Sequence, residues 1–214
     1  MGMHFMLGLY EHQSAGAIQG LINILSSDPA VLETEAHLEK IRIVIYEPAF
    51  SIIGDPAKRD PHTRQSADHS MVYIVATLFR KAFEQKRSGW KDLMLLPEDY
   101  DDAALFHPLT RSLMKRIEFM HGGFAFDAKY PDGIPTLLEL EHRHLGKLSS
   151  GLIMYPTGHA RSDSSDLDSL LRLKFERLAG RGVDQPAQLL NRLSGLTERS
   201  AEEIAQLYQF EIRL

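Results

Sequence analysis

Three imidazoles in three separated segments stand beside groups that could act with them on an anion. In Tyr155-Pro156-Thr157-Gly158-His159-Ala160-Arg161, His159 and Arg161 are two residues apart. Gly158 can take a positive φ there. A guanidinium offers a planar fork to a carboxylate and an imidazole exchanges a proton near neutral pH, so the pair suits a polyacid. The plain alternative is a strand-ending turn with an exposed Arg. In Arg64-Gln65-Ser66-Ala67-Asp68-His69 a carboxylate and an imidazole are expected at the start of a helix, where backbone N–H groups favour anions. Asp68 as a simple cap beside a surface His69 is the competing reading. Glu11-His12-Gln13-Ser14 places His12 before another helix, and Lys58, Arg59, His62 and Arg64 crowd a loop that is either solvated or an anion cradle. His142 and His144 could share a strand face, but with no third ligand in view they read as hairpin surface, and no metal site is expected.

Positioning these groups requires elements that the sequence pattern predicts. Ala17, Ile18, Leu21, Ile22 and Leu25 recur at helical spacing behind Ser14, and Asp28-Pro29 ends the run. Ile41, Ile43 and Ile45 alternate as in a strand. Pro48, Gly54, Pro56 and Pro61 predict a loop over 47–66. Met71, Ile74, Val75, Leu78, Phe79 and Ala82 mark the longest helix, over 67–85. A helix over 102–115 is started afresh or bent at Pro108. Strands are predicted at 117–120, 136–142 and 147–155, the last two joined by a turn at 144–146. Helices follow at 165–178, 185–193 and 201–208. The expected class is α+β: a helical segment over 1–35, a lid-like α+β domain over 36–157, and terminal helices over 158–214. Neither helical flank can enclose a core alone, which points to a further helical portion before the first segment.

Composition narrows the function classes. Hydrophobic residues make up 43% and charged residues 25%, a globular balance. With 24 Lys plus Arg against 29 Asp plus Glu, the net charge is -5 and no polybasic stretch exists, so nucleic acid is not an expected partner. No apolar run reaches the roughly 18 residues of a membrane span, and the opening residues lack the flanks of a signal peptide, so a cytosol-like compartment is expected, or the mitochondrial matrix in a eukaryote. The absence of Cys removes disulfides, thiolate nucleophiles and Cys-ligated clusters.

Four blocks carry a resemblance: Gly8-Leu9-Tyr10-Glu11-His12-Gln13-Ser14-Ala15, Tyr46-Glu47-Pro48-Ala49-Phe50, Ala67-Asp68-His69-Ser70-Met71-Val72-Tyr73-Ile74-Val75-Ala76, and the Tyr155–Arg161 block. In these the chain resembles the 2-methylcitrate dehydratase family, within the wider MmgE/PrpD group that also contains cis-aconitate decarboxylase. The resemblance implies removal of water from 2-methylcitrate to give 2-methyl-cis-aconitate in propionate breakdown, without metal or cofactor. It also implies a helical domain plus a smaller α+β domain. Family members are considerably longer, and the match is to their latter part. The family pattern has a Lys shortly before His12; here that stretch reads Phe5-Met6-Leu7, and the first Lys is Lys40.

Metal-free dehydration of a hydroxy polyacid needs loss of a C–H proton, stabilisation of charge on the adjacent carboxylate, and a proton for the departing hydroxide. The expected site therefore has Arg161 and Arg64, aided by Lys58 and beside Tyr155, clamping carboxylates. His159 or His69 moves the proton, Asp68 orients His69, and His12 is a further shuttle. The expected partners are a small tricarboxylate and either a second copy of the chain or the preceding helical portion. The rival expectations are a non-catalytic module docking on a homologue or on itself, and a decarboxylase or isomerase of a related polyacid.

Overall fold

Alternation of Ile41, Ile43 and Ile45 with Lys40, Arg42 and Val44 buries one side of a strand and leaves the other half-exposed, and Leu38–Ile45 is strand β1 of a four-stranded sheet. The computed structural model describes residues 3–164 and 166–213. β1 pairs in parallel with β2 (Ile117–His121), Ile43 facing Phe119. It pairs antiparallel with β3 (Thr136–His142), Ile43 facing Leu138, and β3 pairs antiparallel with β4 (Gly146–Ile153). The order is β2-β1-β3-β4. A parallel neighbour needs a crossover, and the helices Met71–Gln85 and Pro108–Met114 lie in the connection from β1 to β2. The architecture is mixed α+β, with the outer sheet face carrying the ion pairs Lys40–Glu118, Arg42–Glu139 and Arg42–Glu141.

Helix α1 (Ala15–Ser27) lies on β3 and β4. Its glycines permit the close approach: a Cβ on Gly16 would stand 2.3 Å from Thr136 Oγ1, and one on Gly20 would stand 3.0 Å from Leu138 Cβ. The Met71–Gln85 helix is buried over most of its length, with Met71, Ile74, Leu78 and Phe79 essentially inaccessible. Burying each such side chain contributes about 1.5–3 kcal/mol. Lys81, on the same helix, is buried too, and donates to Asp99 at 2.7 Å and to Met94 O at 2.9 Å.

The structure departs from the sequence pattern in two places that matter for the site. The Pro-rich stretch begins with a helical segment, Glu47–Ile52, because Pro48 lies in the first turn, where a missing N–H costs nothing. The long helix starts at Met71 rather than at residue 67. A short helix, Arg64–Ala67, ends at Asp68, and Ser70 in an extended conformation caps the new helix by accepting from Tyr73 N. At Pro108 a new helix starts, after a separate turn at Asp102–Leu105.

The chain divides into two compact units, residues 1–164 and 165–214. The second consists of the helices Leu167–Ala179, Pro186–Leu193 and Ala201–Ala205, with Leu170, Leu189 and Leu207 buried. The expected helix start at Ser165 falls outside the described residues. Among the described residues no helix is long and apolar enough to cross a membrane.

Candidate functional site

His12 opens the short helical turn His12–Ser14 that leads into α1. Glu11 caps that turn, its carboxylate accepting from Gln13 N at 2.7 Å and from the Ser14 hydroxyl. Burial pushes the Glu11 carboxyl up from its ordinary range, against the hydrogen bonds from Ser14 and Gln13. His12 itself is exposed. Burial of part of its ring and the neighbouring His159 both lower its pKa.

His159 is brought to His12 by a strap. Residues 3–5 run antiparallel to 158–160, with Phe5 N donating to Gly158 O at 2.8 Å and Ala160 N donating to Met3 O at 2.8 Å. Gly158 has φ +100°, and a Cβ there would stand 2.2 Å from Phe5 O, so this crossing requires glycine. On the strap, the His4 ring lies 4.6 Å from that of His12 and 6.0 Å from that of His159, edge-on to both. Both His4 ring nitrogens are buried without a partner. Burial, then His12 and His159, depress the His4 pKa to about 4, so it is neutral at physiological pH. His159 is 6% exposed, and burial followed by the Arg161 charge lowers its pKa. Its Nδ1 accepts from Arg161 N at 3.1 Å, which leaves Nε2 to carry the proton in the neutral ring.

Tyr155 lies against His159 at 4.9 Å, with the Arg161 guanidinium over the tyrosine ring at 5.7 Å. Both residues meet Asp132. Tyr155 Oη donates to one carboxylate oxygen at 2.6 Å and Arg161 Nη1 to the other, while Arg161 Nη1 also reaches Tyr155 Oη at 3.2 Å. These donors hold the Asp132 carboxyl below its usual range, the Tyr155 hydroxyl contributing most. Tyr155 and Arg161 line an open cavity of about 470 Å³ together with Gln19, Asn23 and Thr157.

Asp68 and His69 join the first segment through the backbone, Glu11 N donating to Asp68 O at 3.0 Å. His69 Nδ1 donates to the Asp68 carboxylate, and the His69 imidazole is close enough to act on the Glu11 charge. The pair sits between two helices, not at the first turn of one as the sequence pattern suggests. The expected anion site in the first turn of a helix is therefore not formed by this pair. Lys58 is tied to the same junction by its carbonyl, which accepts from Ser70 Oγ at 2.6 Å. Neither the Lys58 ammonium nor the Arg64 guanidinium makes a hydrogen bond or ion pair among the described residues. The rest of the basic loop is spent locally: Arg59 donates to Gly54 O and covers Phe119, and His62 pairs with Asp60.

The structure thus brings His12, His159, Tyr155 and Arg161 into one connected group and sets Asp68-His69 beside Glu11. Of the expected site residues the cavity is lined by Tyr155 and Arg161, and not by His12, Lys58, Arg64, Asp68, His69 or His159. In the stretch Phe5-Met6-Leu7 before His12, Leu7 is fully buried, its N–H donating to Tyr10 Oη at 2.8 Å. The sequence gives no sign of His4, Glu11 or Asp132 as participants. Chemically, the group offers neutral imidazoles able to take or give a proton, a buried carboxyl, and a guanidinium already holding a carboxylate.

A search of curated proteins returns no match to this chain. Residues 10–194, most of the sequence, match the family model described as the MmgE/PrpD C-terminal domain.

Proposed function

The chain belongs to the MmgE/PrpD family, a family of dehydratases and related enzymes, through its C-terminal domain, and on that premise we propose that it serves metal-independent dehydration of 2-methylcitrate to 2-methyl-cis-aconitate. The observation that carries this reading is the two-point seat formed by Arg161 and Tyr155, which holds a carboxylate while the Tyr155 ring lies against His159. A tricarboxylate seated there would lie beside neutral imidazoles, the state needed for removing a weakly acidic C–H proton. In this reading His159 or His69 takes that proton, Asp68 holds the His69 tautomer, and His12 relays protons at the exposed edge. Arg64 and Lys58, whose side chains have no partner among the described residues, supply further positive charge to the polyanion. A preceding helical portion, such as the family carries, would close the site, and the segments 1–35 and 158–214 would pack with it. Residence in the cytoplasm and assembly as a homodimer belong to the same proposal.

The test is 2-methylcitrate dehydration, followed through the conjugated product, by the chain alone and by the chain preceded by the family's helical portion. Wild-type turnover with a loss of at least 10²-fold in His69→Ala or His159→Ala is expected. Full activity in both variants excludes these roles. No turnover in either form, together with turnover of cis-aconitate to a decarboxylated product, would move the chain to the decarboxylase reading.

A further inference from the structure

Nothing above gives Asp132 a role, yet its carboxylate holds the most specific position in the group. One oxygen accepts from Tyr155 Oη at 2.6 Å and the other from Arg161 Nη1. A two-point contact from a guanidinium and a phenol is how a protein would seat a carboxylate of a polyacid. The placement depends on Gly133: a Cβ there would stand 2.6 Å from Met154 O, so only glycine lets this loop lie against the chain leading into Tyr155. Ile134 N then donates to Met154 O at 3.1 Å and fixes the loop's position.

We propose that Asp132 is an internal competitor for the substrate carboxylate: it occupies the Arg161–Tyr155 seat in the empty protein and is displaced when a polycarboxylate binds. The inference rests on the polyacid reading of this site. Three features favour a competitor over a fixed positioning group. The Arg161 and Asp132 side chains are 52% and 53% exposed, so their pairing is screened and either can turn into solvent. Among the described residues Arg161 is the one cation lining the cavity, which Asp163 also lines, so pairing with Asp132 removes the positive charge that would draw in a polyanion. The seat has no other protein acceptor among the described residues, so a departing Asp132 leaves both donors free for ligand. A competitor of this kind selects for substrates with several carboxylates. A monocarboxylate only replaces what Asp132 already supplies, whereas a tricarboxylate displaces it and gains further contacts.

The experiment is calorimetric titration of the chain with citrate, comparing wild type, Asp132→Asn, Arg161→Ala and the double variant, at low and high salt. Asp132→Asn keeps the shape and an exposed position, and circular dichroism checks its fold. Solvent screening keeps an exposed pair weak, so Asp132→Asn should tighten citrate only about two- to five-fold at low salt. The gain should vanish when Arg161 is also removed. Equal or weaker binding in Asp132→Asn, with binding lost in Arg161→Ala, would overturn the competitor and leave the polyacid reading standing. The same gain with and without Arg161 would also overturn it, because displacement from the seat could not be the cause. Citrate affinity indifferent to Arg161→Ala, or absent throughout, would defeat the polyacid reading and this inference with it.

Discussion

Replacing Gly158 with Ala tests how the three imidazoles are held together. At φ +100° an L-residue is strained, which costs about 1–2 kcal/mol if the backbone stays in place. It cannot stay, because the new Cβ would stand 2.2 Å from Phe5 O, a backbone atom with little freedom to move. Releasing the strap relieves the clash and forfeits the two bonds Phe5 N to Gly158 O and Ala160 N to Met3 O, at about 1 kcal/mol each. Release costs about 2 kcal/mol, or about 3–4 kcal/mol where the positive φ is kept, a fall in the urea midpoint on the order of 1 M. Freed of the strap, His4 should leave its place between His12 and His159, and its pKa should rise from about 4 toward 6.5. Urea unfolding and an NMR titration of the histidines read the two effects separately. A Gly158→Ala protein within about 0.5 kcal/mol of wild type, with His4 still titrating near 4, would refute the strap as the organiser of the group.

Acid should destabilise the fold through its imidazoles. His4, His12, His142 and His159 all have lowered pKa values in the folded protein, so the unfolded chain binds protons first, and stability present above pH 6.5 is lost as pH falls from 6.5 toward 4. Thermal midpoints across that range check this, and a flat profile would contradict it. His142 Nδ1 accepts from the backbone N–H groups of His144 and Leu145, so His142→Asn, whose Oδ1 can take over those bonds without titrating, should flatten part of the profile. Lys81→Met leaves the buried Asp99 carboxylate with the Leu96 N–H at 2.9 Å and Arg80 3.8 Å away, and should cost about 3 kcal/mol in urea unfolding; a loss below about 1 kcal/mol would show that these partners compensate Asp99. Gly16→Ala forces α1 away from Thr136 and should cost about 1–3 kcal/mol, which a thermal melt resolves; an unchanged melting temperature would mean that the α1–β3 contact yields freely.

Much of this was legible in the sequence, for reasons that individual residues make plain. Period-two runs such as Ile41-Ile43-Ile45 and the Thr136–Tyr155 hairpin pattern encode their own burial, and every sheet strand lies where its alternation or turn signal places it. Helix starts are less determinate, because capping is a local competition. Ser70 takes the cap that the pattern assigned near Asp68, and the break it makes moves Asp68 and His69 off any helix N-terminus. His4 carried no signal, since it lies in an aperiodic segment and meets His159 through a pairing across most of the chain; the one clue was Gly158, whose freedom allows a backbone to approach closely. Asp132 read as ordinary turn chemistry in Pro131-Asp132-Gly133, and only the fold shows Tyr155 and Arg161 on either side of it. His37 was invisible as a neighbour of His142 and His144 until the β1–β3 register set Leu38 opposite His142. In the structure His37 and His144 touch through their Nε2 atoms at 3.2 Å.

The dehydratase proposal requires that groups from the first, middle and last blocks of the unit serve one ligand. Histidine NMR during titration of the protein with 2-methylcitrate measures this directly. His12, His69 and His159 should shift together along a single saturation curve, with the Arg161 guanidinium following the same curve. Shifts confined to one of these residues, or curves that saturate at different concentrations, would contradict a shared polyacid site.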